Sequence, residues 1–208
     1  MVSESYALPN VSRETNERLK IYADLLVKWN PKINLISKSS VANLWQRHFV
    51  DSAQIWSIAP KSGYWLDIGS GGGFPGLVIA AIASDECPSM RIGLVESDSR
   101  KATFLRTAAR EMGINAEIHI SRIENVAPQN ADVLSARALA PLSQLCSFAE
   151  RHLSTKGCAV FPKGEKAVDE IETALANWQF EVETYPSVTD KDASILKLKG
   201  ISRVRPAS

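Results

Sequence analysis

Cysteine is scarce. Only Cys87, Cys146 and Cys158 occur in 208 residues, an odd number with no Cys-x-x-Cys pair, so neither a disulfide framework nor a zinc knuckle is signalled and reduced thiols are expected. Long apolar runs are also missing: no segment is uniformly apolar over about 18 residues, the length a membrane span needs. Met1 to Asn10 hold no basic start followed by an apolar stretch, so a soluble, cytoplasmic protein without a membrane partner is expected. Internal repeats and low-complexity segments do not occur. Net charge is close to absent, with 24 basic against 23 acidic residues, which excludes a uniformly basic nucleic-acid binder.

The charge that is there is unevenly placed. Arg100, Lys101, Arg106 and Arg110 form one cluster, Lys191, Lys197, Lys199, Arg203 and Arg205 another, and acids dominate Glu165 to Glu183. Such asymmetry permits a basic face for nucleic acid, although a solvated helix surface explains each cluster equally well.

From Tyr64 onward, short β-branched or apolar runs alternate with helical stretches. Strands are predicted at Tyr64–Ile68, Arg91–Glu96, Ala116–Ile120, Ala131–Ser135 and Gly157–Pro162, and helices at Pro75–Ala83, Arg100–Met112, Pro141–Leu153 and Ala167–Ala176. Phe180–Thr184 and Ser194–Lys199 read as a closing pair of strands. This rhythm predicts an α/β fold, a parallel sheet with helices on both faces. Residues 1–60 form a helical extension and 61–205 one compact domain. In the extension, Ser12 caps a helix carrying Leu19, Tyr22, Leu26 and Trp29 at helical spacing, and Asn30-Pro31 is expected to stop it. A second helix is expected from near Ser40, with Val41, Leu44, His48, Asp51 and Ile55 on one core-facing stripe. His48 and Asp51 must then pair internally or line a cavity, because an unpaired buried polar group costs about 1 to 3 kcal/mol.

The segment Trp65-Leu66-Asp67-Ile68-Gly69-Ser70-Gly71-Gly72-Gly73-Phe74-Pro75-Gly76 joins a strand to a helix through a loop almost without side chains. Its backbone can approach a ligand closely. Gly71-x-Gly73-x-x-Gly76 also satisfies the dinucleotide fingerprint, so a nicotinamide-dependent oxidoreductase is one reading. Asp67, two residues before Gly69, puts a carboxylate at the strand end where a methionine ammonium could be held, and favours S-adenosylmethionine. Glu96 closes the second strand about 25 residues after the glycines, where ribose hydroxyls would sit; capping the next helix is the plainer role. Ser121-Arg122-Ile123-Glu124 follows the third strand and meets the adenine if the fold holds, unless Glu124 is only a helix-start acid.

The fourth strand ends at Ala136-Arg137-Ala138-Leu139-Ala140-Pro141, where the reaction site should open. There is no Asn/Asp-Pro-Pro-aromatic run to grip an exocyclic amine and no Pro-Cys nucleophile. Arg137 offers planar donors and a permanent charge, and Lys163, after the fifth strand, adds a cation at the same edge. His119 and His152 lack a second ligand at metal spacing and are read as structural; no metal is expected.

Asn30-Pro31-Lys32-Ile33-Asn34-Leu35-Ile36, Arg47-His48-Phe49-x-Asp51-Ser52, the Leu66–Gly76 loop and Ala136-Arg137-Ala138-Leu139-Ala140 together resemble the bacterial small-subunit ribosomal RNA guanine-N7 methyltransferases, the RsmG family, also called glucose-inhibited division protein B. The likeness runs from about Leu19 to Leu198. It implies a class I, Rossmann-like, seven-stranded sheet with the last strand antiparallel, S-adenosyl-L-methionine as methyl donor, and one guanine in the 530 loop of 16S ribosomal RNA as substrate. By motif, Gly69, Gly71 and Phe74 would contact the donor, with Ile123 and Glu124 at its adenine end and Arg137 beside it. Phe74, Glu96 and Ala136 stand where many relatives have Leu, Asp and Ser. The expected catalytic group is Arg137, Lys163, His48 and Asp51, with Arg47 and the basic clusters on RNA phosphates. A monomer acting on ribosomal RNA or the small ribosomal subunit is expected; a noncatalytic RNA-binding protein is the further alternative.

Overall fold

The computed structural model describes residues 7–204; Arg205 of the second basic cluster lies outside them. Helix α1, Arg13–Ile33, begins where the Ser12 hydroxyl accepts the Thr15 amide. Leu19, Tyr22 and Leu26 form its fully buried stripe. The helix runs through Pro31 and ends at Asn34, which is left-handed and donates its amide to the Asn30 carbonyl. Asn30-Pro31 therefore does not stop it. Asn30 instead prepares the end three residues on, its side chain accepting the Ile36 amide at 2.9 Å.

The second expected helix is broken into short pieces. A 3-10 turn at Lys38–Ser40 is followed by a π-helix at Trp45–Val50, a single α turn α2 at Asp51–Ala53 and a 3-10 turn at Gln54–Ser57. The wide π turn shifts the face that a regular helix would bury. Phe49, Ser52, Ile55 and Trp56 enter the core, Val41 is exposed, and His48 and Asp51 stand half-buried at its rim.

Seven strands follow: β1 (Tyr64–Ile68), β2 (Arg91–Glu96), β3 (Glu117–Ile120), β4 (Ala131–Ser135), β5 (Leu153–Lys163), β6 (Trp178–Pro186) and β7 (Ser194–Arg203). Between them lie α3 (Gly76–Glu86), α4 (Ser99–Met112), α5 (Leu142–His152) and α6 (Ala167–Leu175). The sheet order is β3-β2-β1-β4-β5-β7-β6, parallel except for β7, which runs antiparallel to β5 and β6. The expected seven-stranded doubly wound sheet is what forms.

Side chains alternate across the strands. Trp65 of β1 joins the core shared by α1, α3 and α4, whereas Tyr64, Leu66 and Ile68 join the opposite core with α5. The extension contributes Leu19, Tyr22, Phe49 and Trp56 to the first of these, so its apolar face is continuous with the sheet layer. Asp85 of α3 clamps the start of α1, accepting from Ser12 (2.5 Å), Thr15 (2.7 Å) and Arg18 (2.5 Å). The carboxyl ends of β1, β2, β4 and β5 open along one edge, the usual place for a ligand in such a sheet. No helix among the described residues is long and apolar enough to cross a membrane.

Candidate active site

The loop after β1 takes the shape its composition predicts. Gly69, Gly71 and Gly73 have φ of +64°, +54° and +96°, left-handed values that a side chain makes costly. A Cβ on Gly73 would stand 2.6 Å from the Tyr22 hydroxyl. That hydroxyl donates to the Gly72 carbonyl from beneath, and the Gly71 amide donates to Glu96 Oε2 at 2.8 Å. The turn is thus pinned from both sides while its outer backbone stays open.

Two connected chambers flank it. The larger, about 1040 Å³, is walled by Gly72, Phe74, Arg47, His48, Asp51 and Arg137. The smaller, about 390 Å³, is walled by Glu96, Ile123 and Glu124. Gly69, Gly71, Lys101 and Leu139 line both, so one elongated ligand fits from the smaller chamber, past the bare turn, to Arg137. S-adenosylmethionine has that shape: an adenosine with ribose hydroxyls at one end and a charged amino acid beyond the sulfur. Glu96 reaches the small chamber with both oxygens already engaged, Oε1 accepting the Asp98 amide at 2.8 Å, and each can accept again.

Asp67 is placed differently from expectation. It is fully buried under the turn, outside the lining of either chamber. Its Oδ1 accepts the Ser135 hydroxyl at 2.7 Å, which in turn accepts the Trp65 indole N–H at 2.8 Å. A Cβ on Gly76 would lie 2.8 Å from Oδ2, so the carboxyl fits only because α3 starts with glycine there. Burial pushes the Asp67 carboxyl up to about 6, against the lowering effect of its hydrogen bonds and of Arg137. Asp67 lies beneath the turn and lines neither chamber.

Arg137 gathers the larger chamber. It donates to Asp51 Oδ2 (3.0 Å), to the Arg47 carbonyl (3.1 Å) and to His48 Nδ1 (2.7 Å), and its guanidinium stands 5.0 Å from the Phe74 ring centroid. His48 and Asp51 therefore both engage one arginine and line the cavity. Burial, with Arg137 and Arg47 nearby, lowers the His48 imidazole to about 3. It is neutral at physiological pH, and since Nδ1 accepts from Arg137 its proton belongs on Nε2.

Lys163 does reach the same edge, but its ammonium is engaged, donating to Glu170 at 2.7 Å and to the Ala140 carbonyl at 2.9 Å. It closes the wall around the residue 136–141 loop and offers less free charge than the sequence implied. The β7 cluster is partly offset: Lys197 and Lys199 share one carboxylate, Glu183, at 3.8 and 3.7 Å, and Arg203 faces Glu150 at 3.8 Å. Ser135, Tyr22, Gln54 and Thr189, all joined to this site by hydrogen bonds, were not identifiable from the sequence. Among the described residues no His/Cys/Asp/Glu group could hold a metal.

The family described as rRNA small subunit methyltransferase G (GidB) matches residues 15–196. A relative of that name from Ruegeria sp. is 52% identical over 94% of this chain and 95% of its own length. Another, from Cereibacter sphaeroides, is 54% identical over 94% of each. Among solved structures, a SAM-dependent methyltransferase from Aquifex aeolicus superimposes with a TM-score of 0.57 at 10% identity, covering 85% of this chain and 96% of that one. A mutant of MtNAS in complex with S-adenosylmethionine gives 0.57 at 14% identity, over 89% and 75%. At such identities those two speak for the fold, which the bare turn, the paired chambers and the Arg137 cluster then fill in, and the chain belongs to the rRNA small subunit methyltransferase G family.

Proposed function

We propose that this protein transfers a methyl group from S-adenosylmethionine to N7 of a guanine in the 530 loop of 16S ribosomal RNA, acting as a cytoplasmic monomer. The observation that carries the reading is Arg137, held by His48 and Asp51 over Phe74 in the chamber that opens from the bare glycine turn. S-adenosylmethionine bound there supplies an electrophilic methyl carbon on a sulfonium. The family match sets the nicotinamide reading aside.

Guanine N7 carries an in-plane lone pair and no proton, so the chain needs no general base. His48, its basicity lowered by burial, and Asp67, outside both chambers, fit that requirement. Placement of the base is then the main task, and holding reactants in line supplies roughly 7 to 11 kcal/mol of the barrier. The guanine must leave its stack to enter the chamber. Three of Arg137's N–H groups are engaged, which leaves two of an arginine's five for the base. They serve best on O6, since a donor on N7 would occupy the lone pair that attacks. Arg47 and Lys101, at the cleft wall, suit the flanking phosphates.

The test is labelled methyl transfer to ribosomal RNA from cells lacking this protein, with the modified base mapped by cleavage at 7-methylguanine. One labelled guanine in the 530 loop is expected, and Arg137→Ala should bind the donor but lose label by a factor of about 100 or more. Label at another atom, or none despite donor binding, would refute the reading.

A further inference from the structure

Asp51 divides its carboxylate among three neighbours. Oδ2 accepts from Arg137 at 3.0 Å. Oδ1 accepts from the Thr189 hydroxyl at 2.9 Å and from the Gln54 amide at 3.0 Å. Thr189 lies in the loop joining β6 to β7 and is 138 residues away in sequence; no role for it follows from the motifs.

We infer that Thr189 and Gln54 are positioning residues for methyl transfer: they fix Oδ1 of Asp51 so that Oδ2 aims the Arg137 guanidinium into the cleft. The inference rests on the role given to Arg137 above.

A carboxylate turns easily about its last bond, because that torsion has a broad, two-fold profile. Held only by Arg137, Asp51 could swing with it. Two donors on the far oxygen remove that freedom. Those donors are themselves fixed. Gln54 Oε1 accepts the Val188 amide at 2.9 Å, which sets the orientation of its side-chain amide and turns Nε2 toward Asp51 and the Ser187 hydroxyl, 3.2 Å away. Ser187 also accepts the Thr189 amide at 3.2 Å and shares a 2.9 Å contact with the Thr189 hydroxyl, a serine-closed turn of the kind that presets a loop. Thr189, Asp190 and Ala193 form part of the cleft wall, so the same loop borders the space the base would occupy. A loop serving only as a connection would not need its threonine hydroxyl and a glutamine amide converging on one carboxylate oxygen.

Thr189→Val keeps the shape and removes the donor. We expect kcat to fall about tenfold while the KM for S-adenosylmethionine and the melting temperature stay close to wild type, because aim is lost and not binding. Thr189→Ser should restore most of kcat. Combined with Asp51→Asn, the valine variant should add little further loss, as members of one network do. If Thr189→Val melts too early to assay, Gln54→Met removes the other donor and is judged by the same kcat, KM and melting criteria. A kcat within about twofold of wild type, or a loss that serine does not restore, overturns the inference. Arg137→Ala is assayed beside them: full turnover there removes the reading of the site itself, whereas an inactive Arg137→Ala beside a fully active Thr189→Val removes only the positioning role.

Discussion

Arg137 is the side chain on which most of the site converges, and its neighbours have opposite responses to acid. The Asp67 carboxyl, at about 6 in the fold against an ordinary 3.8, binds its proton more tightly folded than unfolded. Its contribution to stability is present in full below about pH 4 and is lost as pH rises through 6. His48, lowered from 6.5 to about 3, contributes stability above pH 6.5 that is lost as pH falls through 3. The two slopes oppose each other between pH 4 and 6. Asp67→Asn removes only the first, so the stability of the variant relative to wild type should rise by up to about 3 kcal/mol between pH 4 and 7. Urea unfolding at both pH values measures it; a constant difference would mean that Asp67 titrates normally. At this scale the sequence exposed Arg137, His48, Asp51 and Phe74 because each sits in a dense motif. Ser135, Gln54 and Thr189 were illegible, since a lone polar residue has no period, and the partners of Ser135 and Thr189 stand 68 and 138 positions away.

Elements with a strong period were readable to within a few residues, and the strand–turn–helix from β1 to α3 was the clearest of them. The segment from Trp45 to Ser57 was not. Its apolar residues satisfy a 3.6-residue pattern, yet the π turn buries Phe49 and Ser52 and brings His48 to the cleft. Only tertiary packing selects that geometry. Helix α1 is also joined to the sheet by a polar clamp that its amphipathic stripe did not announce. Asp85, held down to about 2 chiefly by its hydrogen bonds from Ser12, Thr15 and Arg18 against the opposing effect of burial, links the start of α1 to α3. Asp85→Ala should destabilise the protein by about 1 to 3 kcal/mol. For a chain of this size that lowers the melting temperature by roughly 2 to 12 °C. Calorimetry checks it, and methyl transfer well below the transition should remain at the wild-type rate, because Asp85 is remote from both chambers. An unchanged melting temperature would show the clamp to be ornamental.

For the molecule as a whole, the alternation of strands and helices was enough to anticipate three layers and an opening at the carboxyl edge of the sheet. The antiparallel β7 followed from the family resemblance alone. Charge was the least legible property at this scale, because pairing is decided in space: Lys197 and Lys199 share Glu183 across the β6–β7 ladder, while Arg47 and Lys101 line the cleft and enter no ion pair among the described residues. Arg47→Ala and Lys101→Ala should each reduce the slope of log affinity against log salt by about 0.7 for single-stranded RNA, whereas Lys199→Ala leaves it unchanged. Fluorescence anisotropy with a 530-loop RNA across a salt series gives the slopes; equal slopes for all three variants would move the RNA path elsewhere.

The Tyr22 hydroxyl under Gly72 has a practical corollary for protein engineering. A chimera spliced near residue 60, pairing the amino-terminal portion of one relative with the remainder of another, would leave the donor turn resting on a foreign floor. Residues 13–56 and the sheet should therefore be exchanged together, or redesigned together, if the hybrid is to bind its methyl donor.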